Sequence, residues 1–239
     1  MCALRSVLLV LGIGLALLAP TSAATAAKAK PNQWAEYLWK SGTTCTYDTT
    51  YADGSTKVER TRAKRTKKTI KLRWVEAASL QTWTLASRGR MVSPDRSTKG
   101  ATTIVIDETY PSVSQVRAKR GGAVMTLTRH VRYSAKEAKG FLISGRTMVV
   151  TARYRVVGLG QRTLTLPSGT VSAIGVGLRL RSISVSNVRK DEVARVKDFY
   201  RPEIKAGQGD EWWSKGRGVV LWTFGSVGAR AHTTQRSCA

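Results

Sequence analysis

Acid–base and metal chemistry need imidazoles, carboxylates or thiolates at workable spacing, and this chain offers few of them. Its two histidines, His130 and His232, lie far apart and form no HExxH pattern. His130 falls on the polar parity of a strand-like segment beside Thr128 and Arg132, which reads as a surface position. His232 falls in the C-terminal tail and reads as solvated. Asp107-Glu108 and Asp210-Glu211 are carboxylate pairs, but neighbours along a strand point to opposite faces, so neither pair alone supplies an acid and a base to one substrate. A hydrolase would need carboxylates from distant strands to converge within about 5 to 9 Å. Phe224-Gly225-Ser226-Val227-Gly228 misses the GxSxG spacing of a nucleophile elbow, and no Ser-x-x-Lys run occurs. The expectation is a protein with no catalytic residue, no metal and no cofactor.

Binding chemistry is better represented. Lys57 to Arg73 is the densest basic run, and Arg60, Arg62, Lys64, Arg65, Lys67 and Lys68 could track a polyanion. Trp74 follows that run but continues the apolar parity of Ile70 and Leu72, which assigns it to the core side of its strand. Trp212-Trp213, if extended, sends one ring to each face of the sheet, so that Trp74, Trp212 and Trp213 are candidate contacts for an apolar ligand. Polyanion contact fits this pattern, whereas sequence-specific reading of nucleic acid does not.

Arg5, the apolar run Val7 to Leu18 and Ala24-Thr25-Ala26 read as a secretory signal peptide over residues 1–26, leaving residues 27–239 as a single β-rich domain. The run is about half the roughly 20 residues of a spanning helix, and no later stretch approaches that length, so no transmembrane segment is expected in the mature chain. A chain of this size buries about 70% of the surface its unfolded form exposes, so cross-links are optional. Cys2 leaves with the signal peptide. Cys45 and Cys238 remain, one near each end, and are expected to pair outside the cytoplasm, with two free or intermolecular thiols as the alternative. By loop entropy such a bridge is worth about 4 to 5 kcal/mol. No cysteine directly follows the apolar run, so lipid attachment at the signal-cleavage site has no acceptor. The formal charge of +25 favours anionic partners, or serves only to solvate the outer faces of strands.

The elements that must carry these residues are mostly strands. Ile70, Leu72 and Trp74 alternate with Lys71 and Arg73; Met125, Leu127, Val131 and Tyr133 alternate with Thr126, Thr128, His130 and Arg132; Met148, Val150, Ala152, Tyr154 and Val156 alternate with polar neighbours. Asp53-Gly54 and Pro167-Ser168-Gly169 predict hairpins. Apolar parity flips near Arg181-Ser182, which predicts a β-bulge or sharp bend. Helical signals are confined to Asn32 to Lys40, to a capping box at Ser134 and Glu137, and to Val193 to Tyr200 ahead of Pro202, where Arg195 to Arg201 reads equally well as a strand. Ser87 to Gly100 and Pro111 to Gly122 read as basic loops and candidate flaps. The expected fold is all-β: one strongly curved antiparallel sheet, a half-barrel, with one or two short helices.

Leu166-Pro167-Ser168-Gly169-Thr170-Val171 and, downstream, Trp212-Trp213-Ser214-Lys215-Gly216-Arg217-Gly218-Val219-Val220 resemble turn and strand-opening motifs of exported bacterial TapB-like β proteins. The curved sheet of that group is akin to those of lipoprotein carriers (LolA-like) and mycobacterial lipid-binding lipoproteins. The resemblance covers roughly the C-terminal third and carries over no catalytic residue. The one-sided strands and the bend lead to the expectation of a secreted, non-catalytic envelope protein that binds an apolar ligand, a lipid or lipidated molecule, on its concave side. The alternative is a basic adhesion module for anionic wall polymers or other polyanions. The oligomeric state is not legible.

Overall fold

The computed structural model describes residues 32–76, 79–85, 91–99, 102–118, 125–226 and 229–239. The expected signal peptide lies outside these residues, as do Arg88, Arg90, Lys119 and Arg120 of the expected flaps. Twelve strands are present among the described residues. They are β1 (Thr44–Thr50), β2 (Thr56–Arg65), β3 (Thr69–Trp74), β4 (Ser79–Leu85), β5 (Met91–Lys99), β6 (Thr102–Tyr110), β7 (Met125–Ser134), β8 (Thr147–Leu166), β9 (Gly169–Ser186), β10 (Gly209–Ser214), β11 (Gly218–Ser226) and β12 (Ala229–Cys238). Each pairs antiparallel with its neighbours in sequence, giving the single, strongly curved sheet that the one-sided strands imply. The curl runs to closure, because β1 pairs with both β2 and β12. Among the described residues β4 and β5 share the register pairs Thr84↔Val92 and Leu85↔Met91.

Alternation sets which face is inside. Ile70, Leu72 and Trp74 of β3 are buried while Lys71 and Arg73 are exposed, and Met148, Val150, Ala152, Tyr154 and Val156 of β8 are buried. The predicted phase flip is a bulge: Arg153 pairs with Ser182 and Tyr154 with Leu180, so Arg181 is the extra residue. A second irregularity, between Gly158 and Gly160, joins two segments that read separately into one 20-residue β8. The expected flap after Ser87 contains β5. Pro94, which has no N–H to donate, stands opposite Asp107 of β6 in this strand.

Three short elements lie across the sheet. A 3-10 turn, Gln33–Glu36, is capped by the Asn32 side chain accepting from Trp34 N at 3.0 Å. Helix α1 (Val113–Arg117) occupies the second expected flap and is closed at its start by a Ser112/Gln115 capping box. It packs so closely on β8 that a Cβ at Gly158 would sit 2.9 Å from Val116 Cα and from Gln115 O. Helix α2 (Val193–Ala206) runs through Pro202, where the sequence predicts a stop. Pro202 removes one helical hydrogen bond, but burial of Tyr200 before it and Ile204 after it holds both halves, and Tyr154 Oη donates to Ile204 O at 2.9 Å. The Ser134/Glu137 capping box opens a single 3-10 turn, Ala135–Glu137, as predicted. No helix among the described residues is long and apolar enough to cross a membrane.

Cys45 and Cys238 face each other in the β1–β12 register and form the disulfide. With the two half-cystines separated by 193 positions in sequence, loop entropy gives about 5 kcal/mol of stabilisation. The C-terminal segment carrying His232 is strand rather than tail.

Candidate functional site

The site is the barrel interior, and aromatic side chains build most of it. Trp213, fully buried on the inward parity of β10, is the hub. Trp34, Trp39, Trp83 and Tyr110 meet its ring at steep angles, with centroids 5.6, 5.7, 5.3 and 5.7 Å away. Such edge-to-face contacts add about 0.5 to 1.5 kcal/mol each beyond area burial. The N-terminal segment supplies Trp34 and Trp39 and acts as a plug. Trp34 Nε1 donates to Pro111 O at 2.7 Å, and Trp39 Nε1 donates to Tyr47 Oη at 2.9 Å. Backbone bonds from Gly216 N to Glu36 O and from Gly218 N to Tyr37 O tie the plug to the turn before β11. Gly218 has φ of 72°, and the Trp39 ring lies where its Cβ would be, so no other residue fits there. Arg117 of α1 donates to Tyr37 Oη at 2.7 Å, which joins the plug to α1.

Between this plug and the end of α2 a cavity of about 270 Å³ remains. Its wall is mainly rings, from Trp39, Tyr47, Trp74, Trp83, Trp222 and Phe224, with Leu178 and Val219. Ala206, exposed at the end of α2, and Gly207 stand at its rim. Three polar side chains enter the wall. Gln81 Oε1 accepts from Trp74 Nε1 at 3.1 Å. Glu211 Oε2 accepts from Tyr110 Oη at 2.9 Å and from Trp213 Nε1 at 3.3 Å. Arg129 lies with its guanidinium carbon 5.6 Å from the centre of the Tyr154 ring. Tyr47 Oη also donates to Val219 O at 3.1 Å and accepts from Gln235 Nε2 at 3.3 Å. Burial raises the Tyr47 phenol to about 12, so it remains a donor at every physiological pH.

The candidate residues fall in different places. Trp74 lines the cavity as its parity implies. Trp213 points inward but is consumed by the ring cluster, and it is not part of the cavity wall. Trp212 is corrected more sharply. It faces the other side of the sheet, packs with Leu164, Leu166, Ala173 and Val220, and carries Arg162 over its ring at 3.6 Å, so it has no access to the interior. Asp210 and Glu211 do point to opposite faces: Asp210 pairs with Arg179 while Glu211 enters the cavity wall. The side chains of Asp107 and Glu108 lie outside the described set. His130 Nδ1 is 3.0 Å from Thr151 Oγ1 on the outer face. Among the described residues no three His, Cys, Asp or Glu side chains come together as a metal site would require.

Of the basic set, Arg62 and Lys64 are exposed on the outer face of β2, and Lys67 and Lys68 occupy the β2–β3 turn. Arg60 is already engaged, with its Nε 2.7 Å from Glu76 Oε1 and its backbone N donating to Glu76 Oε2 at 2.6 Å. Arg65 is half-buried, and its N–H donates to Ser41 Oγ at 3.2 Å. Sequence reading passed over Arg129, and a signal for it existed, since it occupies the inward parity of β7 between Leu127 and Val131.

No protein family model matches this chain, and no curated protein is similar to it. Solved structures that resemble it include a provisionally named lipoprotein from Parabacteroides distasonis, 12% identical, with a TM-score of 0.52 over 85% of this chain and 97% of that one. They also include a provisionally named exported protein with YmcC-like fold from Bacteroides fragilis, 11% identical, with a TM-score of 0.48 over 85% of this chain and 98% of that one. The likeness to the first bears on the curved sheet, not on the TapB-like or lipoprotein-carrier resemblance in particular. What this chain shares with a protein of known structure is therefore its fold.

Proposed function

We propose that the protein is an exported, non-catalytic envelope protein that holds a small apolar ligand inside its barrel. The cavity of about 270 Å³ between the N-terminal plug and α2 carries this reading. Ring walls with a few polar groups are the usual make-up of a small-molecule site. The volume lies just below the roughly 300 to 1,000 Å³ typical of such sites, which favours one acyl chain or a compact ring compound over a two-chain lipid. A larger lipid would require the plug or α2 to move. Export is supported by the leader-like N-terminus, by the disulfide and by the lipoprotein name of the Parabacteroides distasonis structure. With no cysteine directly after the apolar run, lipid attachment at the cleavage site has no acceptor, so the mature protein is released or held to the envelope non-covalently.

Native mass spectrometry of the secreted protein, before and after organic extraction at high salt, tests the proposal. The expected result is one discrete apolar mass that survives salt and leaves with solvent. A bare protein whose tryptophan fluorescence is also unchanged by added single-chain fatty acids would overturn it.

A further inference from the structure

The outer face of β2 and β3 presents an arrangement that the linear sequence does not display. In their register Arg62 stands directly opposite Arg73, and Lys64 directly opposite Lys71. The intervening Ala63 and Leu72 are buried, so all four cations share the solvent face. Opposed side chains on an antiparallel pair are about 5 Å apart at Cβ. Neighbours on one face of a strand are about 7 Å apart. None of the four has an ion-pair partner among the described residues, whereas Arg60 and Lys57 on the same strand are neutralised by Glu76 and Glu59. Like charges directly opposite one another destabilise a sheet, so the free protein carries a cost at this grid.

The turn at the end of the grid is ordered. Thr66 N donates to Thr69 O at 2.8 Å, and Thr69 N donates to Thr66 Oγ1 at 3.0 Å, which fixes the backbone that carries exposed Lys67 and Lys68. Six cations are thus presented on a rigid ribbon. The ribbon shows no exposed aromatic ring among them, so it has nothing on which a base could stack.

We propose that the β2–β3 ribbon is a docking surface for a linear phosphodiester polymer, read by charge spacing and not by any base or sugar. An extended chain with one negative charge every about 5 to 7 Å would place an anion between opposed cations at each step, turning their mutual repulsion into binding. This surface lies on the opposite side of the sheet from the cavity, so the two sites operate independently.

The probe is a base-free oligodeoxyribose phosphodiester, with affinity measured across a salt series. Arg62→Gln, Lys64→Gln, Lys71→Gln and Arg73→Gln combined should weaken binding by more than about tenfold and lower the log–log salt slope by about 3. The urea midpoint should hold or rise, because two repulsive pairs are gone. The milder pair Lys64→Gln with Lys71→Gln should give about half the change in slope. A control with equal charge loss on the helical segments, Lys136→Gln, Lys190→Gln, Lys197→Gln and Lys205→Gln, should leave most of the affinity. An equal loss in the control, a fallen urea midpoint in the grid variant, or stronger binding to vesicles of anionic lipid than to the polymer would each overturn the proposal.

Discussion

Replacing Tyr47 with Phe removes one oxygen, and the structure says what that oxygen is doing. The hydroxyl accepts from Trp39 Nε1 and Gln235 Nε2 and donates to Val219 O, at 2.9, 3.3 and 3.1 Å. It therefore links the plug to β1, β11 and β12 at a point with almost no solvent contact. In Tyr47→Phe, Gln235 Nε2 keeps its bond to Arg217 O at 3.1 Å. The Trp39 indole N–H is left without this acceptor, which costs about 1 to 3 kcal/mol for a buried donor, and the loss at Val219 O adds about 1 kcal/mol. The expected loss is therefore about 2 to 4 kcal/mol, read as a lower urea midpoint at unchanged m-value. Hydrogen exchange at the Trp39 indole should accelerate, because that proton is released first. A loss below about 1 kcal/mol with unchanged indole exchange would refute the assignment of this hydroxyl as the anchor of the plug.

Ala206→Trp sets a large ring at the exposed rim of the cavity without touching the buried face of α2, so ligand uptake should slow or stop while thermal stability is kept. Uptake by an apolar fluorophore at the wild-type rate would mean that the cavity opens elsewhere. Glu76 is drawn down to about 2 from 4.5, first by the hydrogen bond from the Arg60 backbone and then by the one from its side chain. A carboxylate with a depressed folded-state pKa stabilises above its unfolded value and loses that contribution as pH falls through the folded one. Wild type should therefore exceed Glu76→Gln in stability near neutral pH, and the gap should close between 4.5 and about 2. A gap that stays constant over that window in paired urea titrations would rule out this ion pair as a pH-dependent contributor.

Local pattern made the strands legible, and tertiary placement decided the rest. Alternation in Ile70, Leu72 and Trp74 and the parity flip at Arg181 transferred directly to buried faces and to a bulge, because a sheet with one wet face forces period two. Pro202 misleads a local reader because it removes one backbone bond where burial of Tyr200 and Ile204 makes that loss tolerable. Trp212 and Trp213 show where parity stops being informative: it separated their faces but did not show that one face was filled by Trp34 and Trp39 from the far end of the chain. Arg129 was visible as a charge on an apolar parity and was passed over. The opposed cations are different in kind, since a basic run reveals opposition only when the length and shape of the Thr66–Thr69 turn fix the register.

The bond between Cys45 and Cys238 lies on the ladder where the first and last strands meet. From one cysteine to the other the protein is thus a covalent circle as well as a hydrogen-bonded one. A secreted protease that cuts a turn such as Asp53-Gly54 opens the circle without releasing a fragment, and the nicked molecule keeps every strand in place and gains only the mass of a water. Such damage stays invisible to size until the disulfide is reduced, so a protein cut once within this loop can go on presenting the same interior and the same outer face.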